Sequence, residues 1–295
     1  DFAPETDTSD EVAPESGFNL LTKEAVQSRI DAFKRVAQER GVGWLCSDMF
    51  MQRLRNNNQG ISFLDFFDCM TRCIDEYGDD DRFRWMFEDP RVSKRSLFYT
   101  LFKDVETPFF PVFNELERLL DAHGKNTSVA WIFKENIQRS APFLIELMQN
   151  KNDAINRSLA ALNAFITCFN HSSHPGAWLL EGPEQREDPF IFKMLEQRSE
   201  AFLSILSGMA ELGKVAACDL HLFQLFGEQP TFIADTVSRC GDQAGAMFSA
   251  MADFIHRHYD NPDVAWMFTF YTKKIDQWIF MEIINSFQEK APEVL

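Results

Sequence analysis

The chain has 295 residues, 45 of them acidic and 29 basic, for a net charge of −16. A surface of that sign repels phosphate backbones and anionic lipid heads, which argues against nucleic acid and acidic membranes and points to a protein or peptide partner, a basic one above all. Thirty phenylalanines, four tyrosines, 13 glycines and 12 prolines supply area for a helical core and too few turn residues for an all-β fold.

Residues 1–17 contain six acids, two prolines and no base, the composition of a disordered acidic tail or linker. The start at Asp1 suits a processed product or a piece of a larger chain. From Leu20 to Val36 the apolar positions Leu21, Ala25, Val26, Ile30, Phe33 and Val36 fall at helical spacing. Trp44 to Leu54 predicts a helix, broken at Asn56–Gly60. Ser62 opens the next, with Phe63, Phe66, Phe67, Met70 and Ile74 in one stripe up to Gly78. Ser96 to Phe102 is short. Thr107-Pro108 starts a longer helix through Phe109, Val112, Phe113, Leu116 and Leu120, ending at Gly124, with proline in the first turn and glycine past the end.

The same grammar continues. Ser128 precedes a helix at Trp131, Pro142 opens Phe143 to Met148, and Asn152-Asp153 opens Ile155 to Phe169. Trp178 follows a loop, and Phe190 to Leu206 predicts one helical run, with Gly208 and Gly213 beside it. Cys218 to Phe226, Pro230 to Val237, Ala244 to His258 and Pro262 to Phe287 complete the series. Strand alternation is negligible. Lys290 to Leu295 has the composition of a linker.

A phrase recurs through these helices: a tryptophan followed by two apolar residues, at Trp44, Trp85, Trp131, Trp178 and Trp266, with intervals of 41, 46, 47 and 88. Leu222–Phe226 supplies a tryptophan-free equivalent in the long interval. Residues 126–133 and 261–268 share five of eight residues, 135 apart. A period near 45 is that of stacked helical hairpins, with a polar cap before each phrase, a small residue allowing close approach, and large rings filling the space between units.

The six cysteines form no Cys-x-x-Cys pair, and Cys69 and Cys73 lie one helical turn apart. Buried reduced thiols and a cytoplasmic or nuclear setting are expected, with secretion after signal-peptide removal as the alternative. No segment is long and apolar enough to span a bilayer. His256 and His258 point to different sides of a helix, so they do not make one metal site; His171 and His174 lack further ligands nearby. No nucleophile-elbow, zinc-protease, Walker or dinucleotide motif is present. The expectation is no catalytic, cofactor or metal residue. Two candidate partner-binding features remain: the basic run Arg82, Arg84, Arg91, Lys94 and Arg95, suited to an acidic peptide, and the aromatic Trp278 outside the repeated phrase.

The hairpin period and the missing strands resemble the armadillo and HEAT class of α-solenoids. Val129–Phe133, Phe143–Leu147 and Ala154–Ala160 resemble helical-repeat regions of the very large ubiquitin-specific proteases, where a tryptophan helix precedes a short apolar helix and an arginine-bearing inner helix. The catalytic Cys and His boxes of those enzymes are absent, so the resemblance implies architecture and no activity. The acidic, Pro- and Ser-containing start with repeated tryptophan is also similar to secreted helical-repeat effectors of plant pathogens, although those pair Trp with Tyr. The expected fold is all-α, a right-handed α-solenoid of about six hairpins over residues 18–290, with 1–17 as tail and 291–295 as C-terminal linker. The expected role is a non-catalytic protein–protein interaction scaffold. A secreted effector and a hydrolase with an unrecognised Cys–His site are the alternatives.

Overall fold

Helical stripes of phenylalanine and leucine can be buried only against other helices when no sheet is present to cover them. The computed structural model describes residues 23–57, 61–92, 96–104, 109–134, 142–151, 154–170, 175–182, 189–216, 230–261, 263 and 279–295, and among these there is no strand. The elements are α1 (Lys23–Glu39), α2 (Asp48–Asn57), α3 (Ile61–Tyr77), α4 (Arg84–Phe87), α5 (Leu97–Asp104), α6 (Phe109–His123), α7 (Ala130–Phe133), α8 (Phe143–Asn150), α9 (Ile155–Phe169), α10 (Phe190–Gln197), α11 (Phe202–Ala216), α12 (Pro230–Cys240), α13 (Ala244–His258) and α14 (Ile279–Phe287). Short 3-10 turns occupy Gly43–Cys46, Thr127–Val129, Pro175–Leu180, Gly241–Gln243 and Gln288–Glu293. No helix among the described residues is long and apolar enough to cross a membrane.

The long helices α1, α3, α6, α9, α11 and α13 pack in series, each against the next, and the short helices α5, α8 and α10 do the same. The stripes explain the order. On α9 Ile155, Leu159, Leu162, Phe165, Ile166 and Phe169 are all buried, and on α6 Phe109, Val112, Phe113, Leu116 and Leu120 are. Truncating one such phenylalanine to alanine costs about 3–5 kcal/mol, so these stripes hold the long helices together. The tightest approach is between α11 and α13. A Cβ on Gly245 would fall on the Ser204 carbonyl, and one on Gly208 would fall on the Gly245 carbonyl. These helices approach closest where Gly208, Ser204 and Gly245 leave room for backbone, so Gly208 inside α11 is a packing residue and not a break.

The tryptophan phrase forms short turns, and its indoles make one repeated bond. Trp44 Nε1–H donates to the Phe87 carbonyl (2.8 Å), Trp85 to the Phe133 carbonyl (2.7 Å), and Trp131 to the Leu180 carbonyl (2.8 Å). Each acceptor is the last apolar residue of the following phrase. A carbonyl at the end of a short helix has no partner within it, and the preceding unit's indole supplies one. Gly182 lies against the Trp131 ring, where a Cβ would overlap the indole. Ahead of the phrase, Asp80, Asn126 and Asn261 each accept from the backbone N–H two residues on, at 2.9, 2.9 and 3.0 Å. These three residues stand five positions before Trp85, Trp131 and Trp266. Trp178 is half-buried against Phe190; Trp266 and Leu222–Phe226 lie outside the described residues, as do residues 1–17.

The structure differs from the sequence expectation in three places. The run from Trp44 to Leu54 divides at Ser47, whose hydroxyl accepts from the Phe50 N–H (3.4 Å). The run from Phe190 to Leu206 divides at Arg198–Ala201, a turn with no glycine or proline to mark it, and α11 continues to Ala216. Residues 291–295 are not a free linker: Ala291 is fully buried, and the Gln288–Glu293 turn packs on α12, α13 and α14. Gln288 enters the left-handed region (φ 50°) at the junction between α14 and that turn.

Two outcomes are expected in urea unfolding. Trp85→Phe keeps most of the ring but leaves the Phe133 carbonyl without its donor, and should lose about 1–3 kcal/mol; an unchanged midpoint would show that the bond contributes nothing. Gly245→Ala should lose about 1–3 kcal/mol by overpacking. Gly43→Ala, with nothing within 4 Å of its Cβ position, should be neutral or slightly stabilising.

Candidate functional site

The basic run expected to meet a partner is engaged with its own acids. Asp80 holds Arg82 through both oxygens (Nη2–Oδ2 2.6 Å), and Arg82 Nη1 also donates to the Gly124 carbonyl (3.2 Å). Its guanidinium lies 5.0 Å from the Phe83 ring centroid. Arg91 pairs with Asp89 (2.5 Å) and Arg84 with Asp81 (3.4 Å). The hydrogen bonds from Arg82 and Arg91 hold the Asp80 and Asp89 carboxyls below the usual carboxylate range. Arg82 therefore fastens the start of one phrase to the end of α6. Arg84 and Arg91 remain accessible, since exposed pairs of this kind contribute little and are easily exchanged. Lys94, Arg95 and Trp278 lie outside the described residues.

A recess of about 650 Å³ lies along Glu24, Gln27, Ser28, Asp31, Ala32 and Arg35. Among the described residues all six come from α1, so no second described element brings converging groups to it. His256 is exposed and His258 lies tilted against Phe254 (4.8 Å between centroids), both at the end of α13, and among the described residues they belong to no metal-like cluster.

Polar chemistry gathers instead between α3 and α6. Cys69 and Cys73, one turn apart on α3, face Glu117 on α6, and all three are buried. The Cys69 thiol donates to Glu117 Oε2 (2.9 Å), while Arg72 reaches Oε1 through Nε (2.9 Å) and Nη2 (2.7 Å). The carboxylate is thus compensated by a cation whose side chain is 63% exposed, so the cluster is close to solvent on its Arg72 side. A hydrogen bond with Cys73, burial and the neighbouring Glu117 all push the Cys69 thiol up. It stays protonated at neutral pH and is a poor nucleophile.

The sequence did not join these groups. The Cys69–Cys73 spacing is visible in it, but Glu117 is 48 residues from Cys69. The signal that links them is position: both are the ninth residue of their helices, and equivalent positions on successive long helices meet across the seam.

At the next seam, His123 at the end of α6 donates from Nε2 to Asn163 Oδ1 (2.9 Å) on α9, and among the described residues its buried Nδ1 and the buried Ser158 Oγ have no partner. Burial lowers the His123 pKa, against the opposing effect of its bonds with Asn163. Its neutral form suits the site, so its contribution is complete above about pH 6.5 and is lost as pH falls through the lower folded value.

Searches against protein-family models, curated proteins and solved structures give no match to this chain.

Burial raises the thiols of Cys168 and Cys240 to about 11. A thiol raised in the folded state contributes fully below its unfolded value of about 8.5, and that contribution drains as pH rises through about 11. Denaturant unfolding measured from neutral to strongly alkaline pH should show falling stability across that window, with a shallower fall in Cys168→Ala. An alkaline profile identical in the two proteins would contradict the assignment.

Proposed function

We propose that this chain is a non-catalytic protein–protein interaction scaffold, a right-handed α-solenoid of about six helical hairpins that carries a basic protein or peptide. The observation that supports it most is the offset of its cross-links. The three indole bonds join residues 43, 48 and 49 apart. The polar ties between units have the same span: Tyr77 to Asp121 (44), Arg72 to Glu117 (45), Arg82 to Gly124 (42), Asn126 to Asn170 (44). A chain held by links of one unit's length is a sum of nearest-neighbour interfaces, and such arrays bind through extended faces and not through a cleft.

The net charge of −16 favours cationic partners by long-range steering. The long helices expose both signs, with Asp65, Asp75, Glu76, Asp121, Glu211 and Asp253 beside Arg72, Arg118 and Lys214, so local pairing and not a uniform field would set register. The five described cysteines are free thiols, which supports a cytoplasmic or nuclear setting.

Small-angle X-ray scattering tests the architecture: a compact globule of this length has a radius of gyration of about 19 Å, and a stacked array should exceed it clearly. Fluorescence anisotropy with labelled lysine- and arginine-rich peptides tests the partner class. Binding that weakens with salt is expected; a preference for acidic peptides would move the proposal to Arg84 and Arg91, and a compact radius with no peptide binding would overturn it.

A further inference from the structure

We propose that Cys69, Cys73 and Glu117 form a binding site for one soft divalent cation, zinc or a metal of the same class, with Arg72 as its charge-balancing neighbour. This inference is independent of the scaffold proposal, because it rests on one seam between two helices.

Three observations carry it: the grouping of the ligand atoms, the helical spacing of the two cysteines opposite Glu117, and the short thiol–carboxylate contact. The ligand atoms, two Sγ and one carboxylate oxygen, lie within 4.8 Å of one another, as a single ion requires. Two thiolates at i and i+4 share one helical face, and the third ligand comes from the adjacent helix, so the ion would tie α3 to α6. Zn–S bonds of about 2.3 Å and Zn–O bonds of about 2.1 Å in a tetrahedron set ligand separations of roughly 3.5–3.8 Å. The 2.9 Å contact between Cys69 Sγ and Glu117 Oε2 needs to open by roughly 0.6 Å to reach that range, a side-chain adjustment.

Charge then selects the ion. Two thiolates and one carboxylate sum to −3, and Arg72 returns +1, so a +2 ion makes the buried group neutral; a monovalent ion would leave a net buried charge, which is costly. Thiolate ligands select zinc-like metals over magnesium or calcium. The Arg72 guanidinium holds Oε1 and leaves Oε2 to the metal, the orienting role that outer groups play at metal carboxylates. Uptake is balanced as the release of two thiol protons for one cation, with no oxidation. The three protein ligands leave the fourth position to water or a further ligand.

The unbound arrangement, a thiol donating to a carboxylate, satisfies the same groups without an ion, so the two accounts differ in what the reduced full chain does when cadmium is added. Titration should give a thiolate-to-cadmium charge-transfer band in the ultraviolet that saturates at one equivalent, and native mass spectrometry should show one ion bound. Zinc should compete for the site and raise the thermal midpoint. Cys73→Ser should abolish the band while Cys46→Ser leaves it intact, and Glu117→Gln should weaken binding at least about tenfold, with circular dichroism of the metal-free proteins checking that each is folded. Absence of a stoichiometric band in the unaltered protein overturns the proposal, whatever the variants do. So does a band that survives Cys73→Ser or disappears with Cys46→Ser.

Discussion

A buried carbonyl at the end of a short helix must find a donor, and the way this chain meets that need organises everything around it. The turns at Arg84–Phe87, Ala130–Phe133 and Pro175–Leu180 end in apolar surroundings, where the last peptide oxygen has no partner of its own. Phenylalanine would fill the space but leave the oxygen bare, at a cost of about 1–3 kcal/mol. Tryptophan fills the space and brings an N–H on the correct side. Each of these three tryptophan phrases therefore bonds to the one after it, through Trp44, Trp85 and Trp131, and the long helices pack in the same order.

That dependence makes neighbouring positions intolerant in a specific way. Gly182 gives the Trp131 ring its room, and Gly208 and Gly245 let α11 and α13 approach at backbone distance. Ser96 donates its hydroxyl to the Met86 carbonyl (3.0 Å), closing the second open oxygen of the same turn. The polar ties between successive helices lie at the ends and sides of the apolar stripes, so register is set by directional bonds while the rings supply most of the energy.

Much of the fold was legible from residue spacing. The stripes on α6, α9 and α13 set those helices close to their observed limits, because apolar periodicity alone marks them clearly. The breaks at Ser47 and Arg198–Ala201 were not legible, since no glycine or proline marks them and tertiary packing alone decides the turn. The packed terminus at Ala291 was missed for a similar reason: a short polar stretch with one proline has the composition of a linker whether or not it docks. At the site level, the five-residue lead from Asn126 and Asn261 to the tryptophan could be read from the internal match, whereas the same role of Asp80 could not, since it lies outside that match. The role of the indole N–H could not, because its acceptor lies about one period away and is a backbone atom. The Arg82, Arg84 and Arg91 run drew attention as a basic patch, and pairing with Asp80, Asp81 and Asp89 accounts for those charges locally. Glu117 escaped notice because carboxylates are common in the sequence and only the helix-to-helix register brings this one to the two thiols.

The most direct test of the central claim is hydrogen exchange at the indoles themselves, followed by NMR on protein labelled with nitrogen-15 at tryptophan. If Trp44, Trp85 and Trp131 each donate to a carbonyl of the following unit, their indole protons should exchange orders of magnitude more slowly than free tryptophan, with Trp85 and Trp131, the more deeply buried pair, slowest. Indole protons that exchange at the rate of free tryptophan while the backbone amides of α6 and α9 stay protected would contradict the account.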